Sequence, residues 1–287
     1  MTSRAVLITG ASTGIGRASA LHLDRIGMTV FAGVRKAEDG EELRGQTSDR
    51  LRVVLIDIAD AASVEQATAE VLEETEGPGL FGLVNNAGIT VQGPLEYLPL
   101  AQLREQFEVN VFGHMAVTQP LLPSLKKAQG RIVFMSSIAG RARSLPFLGP
   151  YSASKKAIGA LADSLRIELR GVGISVSLVE PGSIATPIWE KGDASFDELL
   201  ESLPPEGRTF YGAALDKARK IAAASGARGI PPERVAAKVA HALTAARPKA
   251  RYLVGSDAMA RAWVESPLPD RVRDKLLARL VGLDRKG

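Results

Sequence analysis

Thr9-Gly10-Ala11-Ser12-Thr13-Gly14-Ile15-Gly16 is the stretch that decides the fold. It follows directly on the apolar run Ala5-Val6-Leu7-Ile8, and residues Gly14 to Ile26 after it read as a helix. A buried strand, a glycine-rich turn and a helix in succession let a pyrophosphate come close to the backbone. The first N–H groups of the helix and its positive dipole end then face the phosphate. The spacing is G-x-x-x-G-x-G rather than the commoner G-x-G-x-x-G, and a glycine-rich turn also occurs without any ligand.

The alternation continues outward from this stretch. The patterning predicts strands over 4–9, 28–34, 51–56, 80–84, 131–135, 174–179 and 251–254. It predicts helices over 14–26, 61–76, 101–127 and 151–170, and another through Val235, Val239 and Leu243. Pro120 and Pro123 predict a bend or break near the end of the 101–127 helix. Several strands are apolar on both faces, which argues a parallel sheet covered on two sides. Right-handed crossovers make this a doubly wound α/β fold with its ligand crevice at the carboxyl ends of the strands. Within one domain over 1–287, residues 187–231 read as a long substrate loop or lid, rich in Gly, Pro and charge. The tail from Pro267 to Gly287 carries an amphipathic turn or two with Val272, Leu276, Leu277 and Leu280.

Composition excludes several functions. The 287 residues include no cysteine, so disulfides, thiolate metal sites and a cysteine nucleophile drop out. Only His22, His114 and His241 remain as histidines, far apart, and no metal site is expected. His114 reads as a core or interface residue. Thirty-six basic against thirty-two acidic residues, with no basic stripe, argues against nucleic acid as a partner. No apolar run is long enough to span a membrane, and with no export signal the expected location is cytoplasmic.

Two further places carry chemistry. The second strand ends Gly33-Val34-Arg35-Lys36, where a dinucleotide site reads the adenosine ribose. No carboxylate is available there for a ribose diol. Arg35 and Lys36 suit a 2′-phosphate, which favours NADP over NAD; a solvated basic turn is the alternative. Asp57, after the third strand, suits either an adenine amino group or a loop-capping role. Tyr151 and Lys155 are four apart on a helix and project to one side. A neighbouring ammonium lowers the pKa of a phenol and makes it a usable general acid/base.

Together these residues resemble the short-chain dehydrogenase/reductase family over about 4–190. Gly10 to Gly16 match its cofactor loop, Asn85-Asn86-Ala87-Gly88 its N-N-A-G, and Asn110 its helix asparagine. Ser136-Ser137-Ile138-Ala139-Gly140 match its S-S-x-x-G, Tyr151 to Lys155 its Y-x-x-x-K, and Pro181-Gly182 with Thr186 its P-G-x-x-x-T. The resemblance implies a Rossmann-type fold and hydride transfer between a nicotinamide cofactor and a ketone or secondary alcohol. It implies that Tyr151 is the general acid/base and that Lys155 binds ribose and lowers the Tyr151 pKa. Ser137, chosen over Ser136 by register, would polarise the carbonyl, and Asn110 would hold a relay water. Gly10, Ser12, Thr13, Gly14, Ile15, Gly16, Arg35, Asp57, Ile58, Asn86, Ala87, Gly88, Pro181, Gly182, Ile184 and Thr186 would line the cofactor. Ser137 to Tyr151 is one residue longer than the commonest family spacing, with Pro146 and Pro150 between.

Segments 164–169 and 176–182 resemble the branch of retinol, hydroxysteroid and 3-hydroxybutyrate dehydrogenases, which implies a hydrophobic substrate. The family also implies a homodimer or homotetramer through helices 101–127 and 151–170, where Gly113, Ala116, Ala153, Ala157 and Ala160 allow close packing. Trp189, Phe210, Tyr211 and Trp263 suit a substrate pocket or ordinary packing. Two other classes use the same fold: an epimerase or dehydratase that recycles its NAD, and a non-catalytic nucleotide sensor.

Overall fold

The computed structural model describes residues 4–264 and 269–284. Seven strands form one parallel sheet: β1 (Ala5–Thr9), β2 (Thr29–Val34), β3 (Leu51–Leu55), β4 (Gly82–Asn85), β5 (Arg131–Met135), β6 (Ser175–Pro181) and β7 (Arg251–Val254). Their order is β3-β2-β1-β4-β5-β6-β7. The chain reverses its winding between β1 and β4, and the crevice opens at their carboxyl ends. Every predicted strand is present, with ends within two residues of the expected ones.

β1 and β4 are apolar on both faces because helices cover both faces. Leu7, Phe31, Leu83, Phe134 and Leu178 pack on one side, with Val64 and Val71 of α3 (Ala61–Glu74), Leu121 and Leu125 of α5 (His114–Lys127) and Ile158 of α6 (Gly149–Glu168). Val6, Ile8, Val84, Val133 and Val179 pack on the other. There they meet Ala20 and Leu23 of α1 (Gly14–Arg25) and Val235, Val239 and Leu243 of α9 (Pro232–Thr244). The period of two survives inside the apolar runs as a choice of face.

The structure corrects the sequence reading in several places. The charged segment after β2 forms a short helix, α2 (Ala37–Arg44), anchored by the buried Leu43. The 101–127 region is α4 (Leu100–Phe107), a π-helical turn over Glu108–Gly113, and α5. Pro120 and Pro123 lie inside α5 without ending it. Burial of Leu121 and Leu125 on the sheet offsets the roughly 3 kcal/mol that an interior proline costs.

The largest correction concerns 187–231. It is not a loop but two helices, α7 (Ile188–Ser202) and α8 (Pro205–Ala227), restarted at Pro204-Pro205. Phe196, Leu203, Ala214 and Leu215 bury against Phe147, far away in sequence, so local composition gave no sign of their packing. The chain ends in α10 (Ser256–Val264) and α11 (Asp270–Val281), the latter longer than the expected turn or two. The Trp263 side chain and residues 267, 268 and 285–287 of the tail lie outside the described residues.

Candidate active site

The glycine loop closes on the end of β4. Gly10, at φ +66, has no room for a side chain, since a β-carbon there would stand 2.8 Å from the Ala87 Cα. Thr9 binds the two segments: its Oγ1 accepts the N–H groups of Asn86 (3.0 Å) and Ala87 (3.1 Å). Asn86 returns two bonds, its Nδ2 donating to the carbonyls of Thr9 and Gly10, each at 3.0 Å. A β-carbon on Gly16 would collide with the Gly10 carbonyl oxygen. Sequence reasoning left Thr9 out of the site, although it opens the quoted motif.

Helix α1 begins at this loop with Thr13 as N-cap, and the Thr13 side chain makes no capping bond. The first-turn N–H groups thus lack that internal acceptor, and they face the crevice where an anion is stabilised. Thr186 crosses over the loop, its Cγ2 standing 3.2 Å from where a β-carbon on Gly14 would lie. These residues fit a pyrophosphate, with Ser12, Thr13 and Ile15 bordering the same turn.

At the adenosine end, Arg35 and Lys36 are exposed and make no ion pair among the described residues. Asp57 Oδ1 accepts the Ala59 N–H at 3.0 Å, so this carboxylate caps its own loop. Ile58 is buried beside it, with its carbonyl oxygen 2.5 Å from where a β-carbon on Gly113 would stand. Gly113 is thereby committed to packing within the chain.

Ser136 and Ser137 have different occupations. Ser136 is buried and its hydroxyl donates to the Lys155 carbonyl at 3.1 Å. Ser137 accepts the Ala139 N–H at 3.1 Å, and its hydroxyl acts on the Tyr151 phenol, favouring the phenolate. Ser137 is therefore the serine that faces the tyrosine. Lys155, buried one helical turn beyond Tyr151, donates to the Met135 carbonyl at 2.9 Å, and its Nζ lies 5.8 Å from the Tyr151 ring centre. Burial pushes the Lys155 ammonium down to about 8. Burial also raises the Tyr151 pKa, and Ser137 pulls it back. The ammonium is turned to a backbone carbonyl, and Ser137 is the group that favours the phenolate here.

Asn110 is fully buried in the π-helical turn, a distortion often found at functional sites. Its Oδ1 accepts the Ile89 N–H at 2.9 Å. Its Nδ2 donates to the Ile89 carbonyl (3.0 Å) and to Ser154 Oγ (3.1 Å). Gly88 fits between Asn110 and Lys155, 3.2 Å and 3.5 Å from its virtual β-carbon.

Asn110 is the middle rung of a polar ladder that the sequence reading missed. Gln106, also buried, accepts the Val91 N–H at 2.6 Å and donates to the Ile89 carbonyl at 2.9 Å. His114 Nε2 reaches the Ala87 carbonyl at 2.7 Å. Four helical residues rise about 6 Å, and two extended residues advance about 6.6 Å. Residues 106, 110 and 114 therefore match 91, 89 and 87 in antiparallel register. The signal was present as polar side chains four apart in a buried helix. His114 is a core histidine, as one of the two expectations had it, and burial lowers its pKa to about 3, assisted by the charge of Lys155.

Two more elements complete the crevice. Asp257 of α10 accepts the Ser183 N–H at 2.7 Å and fills the space beside Gly182, holding the turn after Pro181. Ile184 is buried and pairs with Ile230 in an isolated parallel bridge, and its carbonyl accepts the Trp189 Nε1 proton at 2.6 Å. Phe147, four residues before Tyr151, adopts φ +69, a costly conformation for an aromatic residue. Its ring meets Tyr211 edge-on at 6.1 Å, and its carbonyl accepts the Gly93 N–H at 2.8 Å. Tyr211 thus packs α8 onto the wall of the crevice, while Phe210 remains 68% exposed. Among the described residues no group of three or more His, Cys, Asp or Glu could hold a metal, and no helix is long and apolar enough to cross a membrane.

The family described as short chain dehydrogenase matches residues 4–195. The chain is 37% identical over 278 residues to an NADPH-dependent 3-dehydrocapnine reductase of Ornithobacterium rhinotracheale, covering 95% of each chain. It is 38% identical over 280 residues to 17-beta-hydroxysteroid dehydrogenase type 6 of Bos taurus, covering 96% of this chain and 87% of that one. Among solved structures, a short-chain dehydrogenase from Streptomyces avermitilis superposes with a TM-score of 0.77 at 27% identity, covering 99% of both chains. One from Burkholderia cenocepacia in complex with NADP superposes with 0.71 at 26% identity, covering 97% of both. The chain belongs to the short-chain dehydrogenase family and is an NAD(P)-dependent oxidoreductase with that family's doubly wound fold.

Proposed function

We propose that the chain interconverts a hydrophobic ketone and its secondary alcohol, with NADP(H) preferred. The observation that carries this is the Tyr151–Lys155 pair on α6, with Lys155 Nζ 5.8 Å from the Tyr151 ring centre and Ser137, just after β5, acting on the same phenol. A bound nicotinamide supplies or accepts the hydride. The protein's own part is to hold the carbonyl oxygen, polarise it and exchange its proton. Ser137 Oγ hydrogen-bonds that oxygen, and Tyr151 Oη gives it a proton in reduction or takes one in oxidation. The phenol, kept protonated by burial, suits the role of acid. Lys155 would hold a ribose hydroxyl of the bound cofactor, and Asn110 fixes the backbone at Ile89.

The hydrophobic substrate rests on the resemblance of segments 164–169 and 176–182 to the retinol and hydroxysteroid dehydrogenase branch, and on similarity to relatives named for such substrates. The NADP preference rests on Arg35 and Lys36 and on the absence of a carboxylate at Val34. The homodimer or homotetramer reading keeps Ala116, Ala153 and Ala160, which are exposed on α5 and α6, but loses Gly113, which is buried against Ile58. A panel of ketones and secondary alcohols scored by NADPH and NADH absorbance tests the reading. Stoichiometric oxidation of NADPH by apolar ketones is the expected result. Substrate turnover with no net change of cofactor would instead identify an epimerase that recycles it.

A further inference from the structure

Helix α11 presents two parallel rows to solvent. Val272, Leu276 and Leu280 are 45%, 50% and 44% exposed, four residues apart. Arg271, Lys275 and Arg279, each one residue earlier and exposed, form a cationic row beside them. At 100° per residue the cations and the aliphatic chains occupy adjoining sectors of one outward face. The opposite side is engaged. Val281 is buried, and Asp270 and Asp274 take the two arms of the Arg143 guanidinium at 3.2 Å and 3.0 Å. Lys217 of α8 donates to the Arg279 carbonyl at 3.1 Å, so the helix is tied to α8 and to the 141–148 segment rather than hanging free. Among the described residues Arg271 and Lys275 have no ion-pair partner, whereas both acidic residues of the helix have one.

We propose that the outward face of α11 docks on an anionic lipid bilayer, with Val272, Leu276 and Leu280 entering the headgroup–acyl boundary and Arg271 and Lys275 meeting lipid phosphates, while Arg279 is paired with Asp284 at 3.0 Å. An apolar row flanked by cations is the pattern of helices that lie in a membrane interface. Three half-exposed aliphatic chains fall far short of the roughly 800 Å² per partner that a stable protein interface buries, which argues against a second copy as the occupant. The surface concerns attachment and stands apart from the reaction proposed above, so it is measured without substrate or cofactor.

The test is co-sedimentation of the whole chain with vesicles. One set is phosphatidylcholine alone and the other phosphatidylcholine and phosphatidylglycerol in equal parts. Binding at least about tenfold tighter to the anionic vesicles, weakening as salt rises, is expected. Arg271→Gln and Lys275→Gln should each weaken that binding about fivefold, at roughly one kcal/mol per cation near the surface. Leu276→Glu should remove it. Circular dichroism checks that these exposed variants remain folded. Failure of the wild type to bind anionic vesicles, or equal binding to both sets, overturns the proposal. So does a change of solution mass in Leu276→Glu with vesicle binding unchanged, which would make the face a contact between copies.

Discussion

The Nε2 nitrogen of His114 stands 2.7 Å from the Ala87 carbonyl oxygen, and in this way a buried imidazole holds the segment on which the glycine loop rests. The ring is neutral and its Nδ1 has no protein partner, so protonation has nowhere favourable to go.

Acid should therefore destabilise the fold through this residue. The folded pKa is lowered to about 3 from an ordinary 6.5, so the unfolded chain binds the extra proton. The stability that His114 contributes is complete above 6.5 and is lost as pH falls from there toward about 3. The expected slope is up to roughly 1.4 kcal/mol per pH unit within that window. Urea unfolding of wild type and His114→Gln across it should give the steeper pH dependence to the wild type. Parallel curves would show that the imidazole titrates elsewhere.

Tyr151→Phe should lower kcat by about 10²–10⁴, the usual contribution of general acid/base catalysis, and leave the cofactor dissociation constant nearly unchanged. Only the hydroxyl is lost, and the ring still packs. Stopped-flow turnover and fluorescence titration with NADPH measure the two quantities separately. A variant that kept more than half of the wild-type kcat would remove Tyr151 from its role.

Ser137→Ala should do more than lower kcat. The Ser137 hydroxyl pulls the Tyr151 pKa down against the effect of burial, so its loss leaves burial unopposed. In ketone reduction the phenol must be protonated, so the alkaline limb of the kcat/KM profile should move to higher pH. A limb that stays in place, or moves to lower pH, would contradict the assignment.

Arg35→Ala should narrow the preference for NADP(H). An arginine fork matches a phosphate, and a charged hydrogen bond contributes about 1.5–3 kcal/mol, or roughly ten- to a hundredfold in affinity. The wild type should use NADP(H) better than NAD(H) by about that factor in kcat/KM, and the variant should lose most of the gap through NADP(H) alone. Equal use of both cofactors by the wild type would leave Arg35 as a surface turn residue.

Asp257→Ala should raise the KM for cofactor several-fold with little change in thermal stability. Its carboxylate accepts the Ser183 N–H, and it contacts the turn that carries Ile184 and Thr186. Asp257→Asn, which keeps an acceptor, should recover most of the affinity. No difference between the two variants would confine Asp257 to α10.

The succession of strands along the chain, the glycine loop and the collinear Asn86, Ser137, Tyr151 and Lys155 are legible in the residues. Each depends on local periodicity or on a spacing within one element, and the chain carries such information in order. Register alone picks Ser137 over Ser136, but what Ser136 does instead depends on distance in space: it is spent on the Lys155 carbonyl, which only the packing of β5 against α6 shows. The same holds for Asp257 beneath Gly182, and for Gln106 and His114 beside residues 87–91, where partners lie far apart along the chain. Local composition gives α7 and α8 the look of a loop because their apolar residues satisfy Phe147 and Tyr97 rather than a neighbouring strand. The direction of the Tyr151 pKa was likewise beyond the sequence. Spacing puts an ammonium one turn from the phenol, but only the folded environment desolvates that phenol, and desolvation raises its pKa.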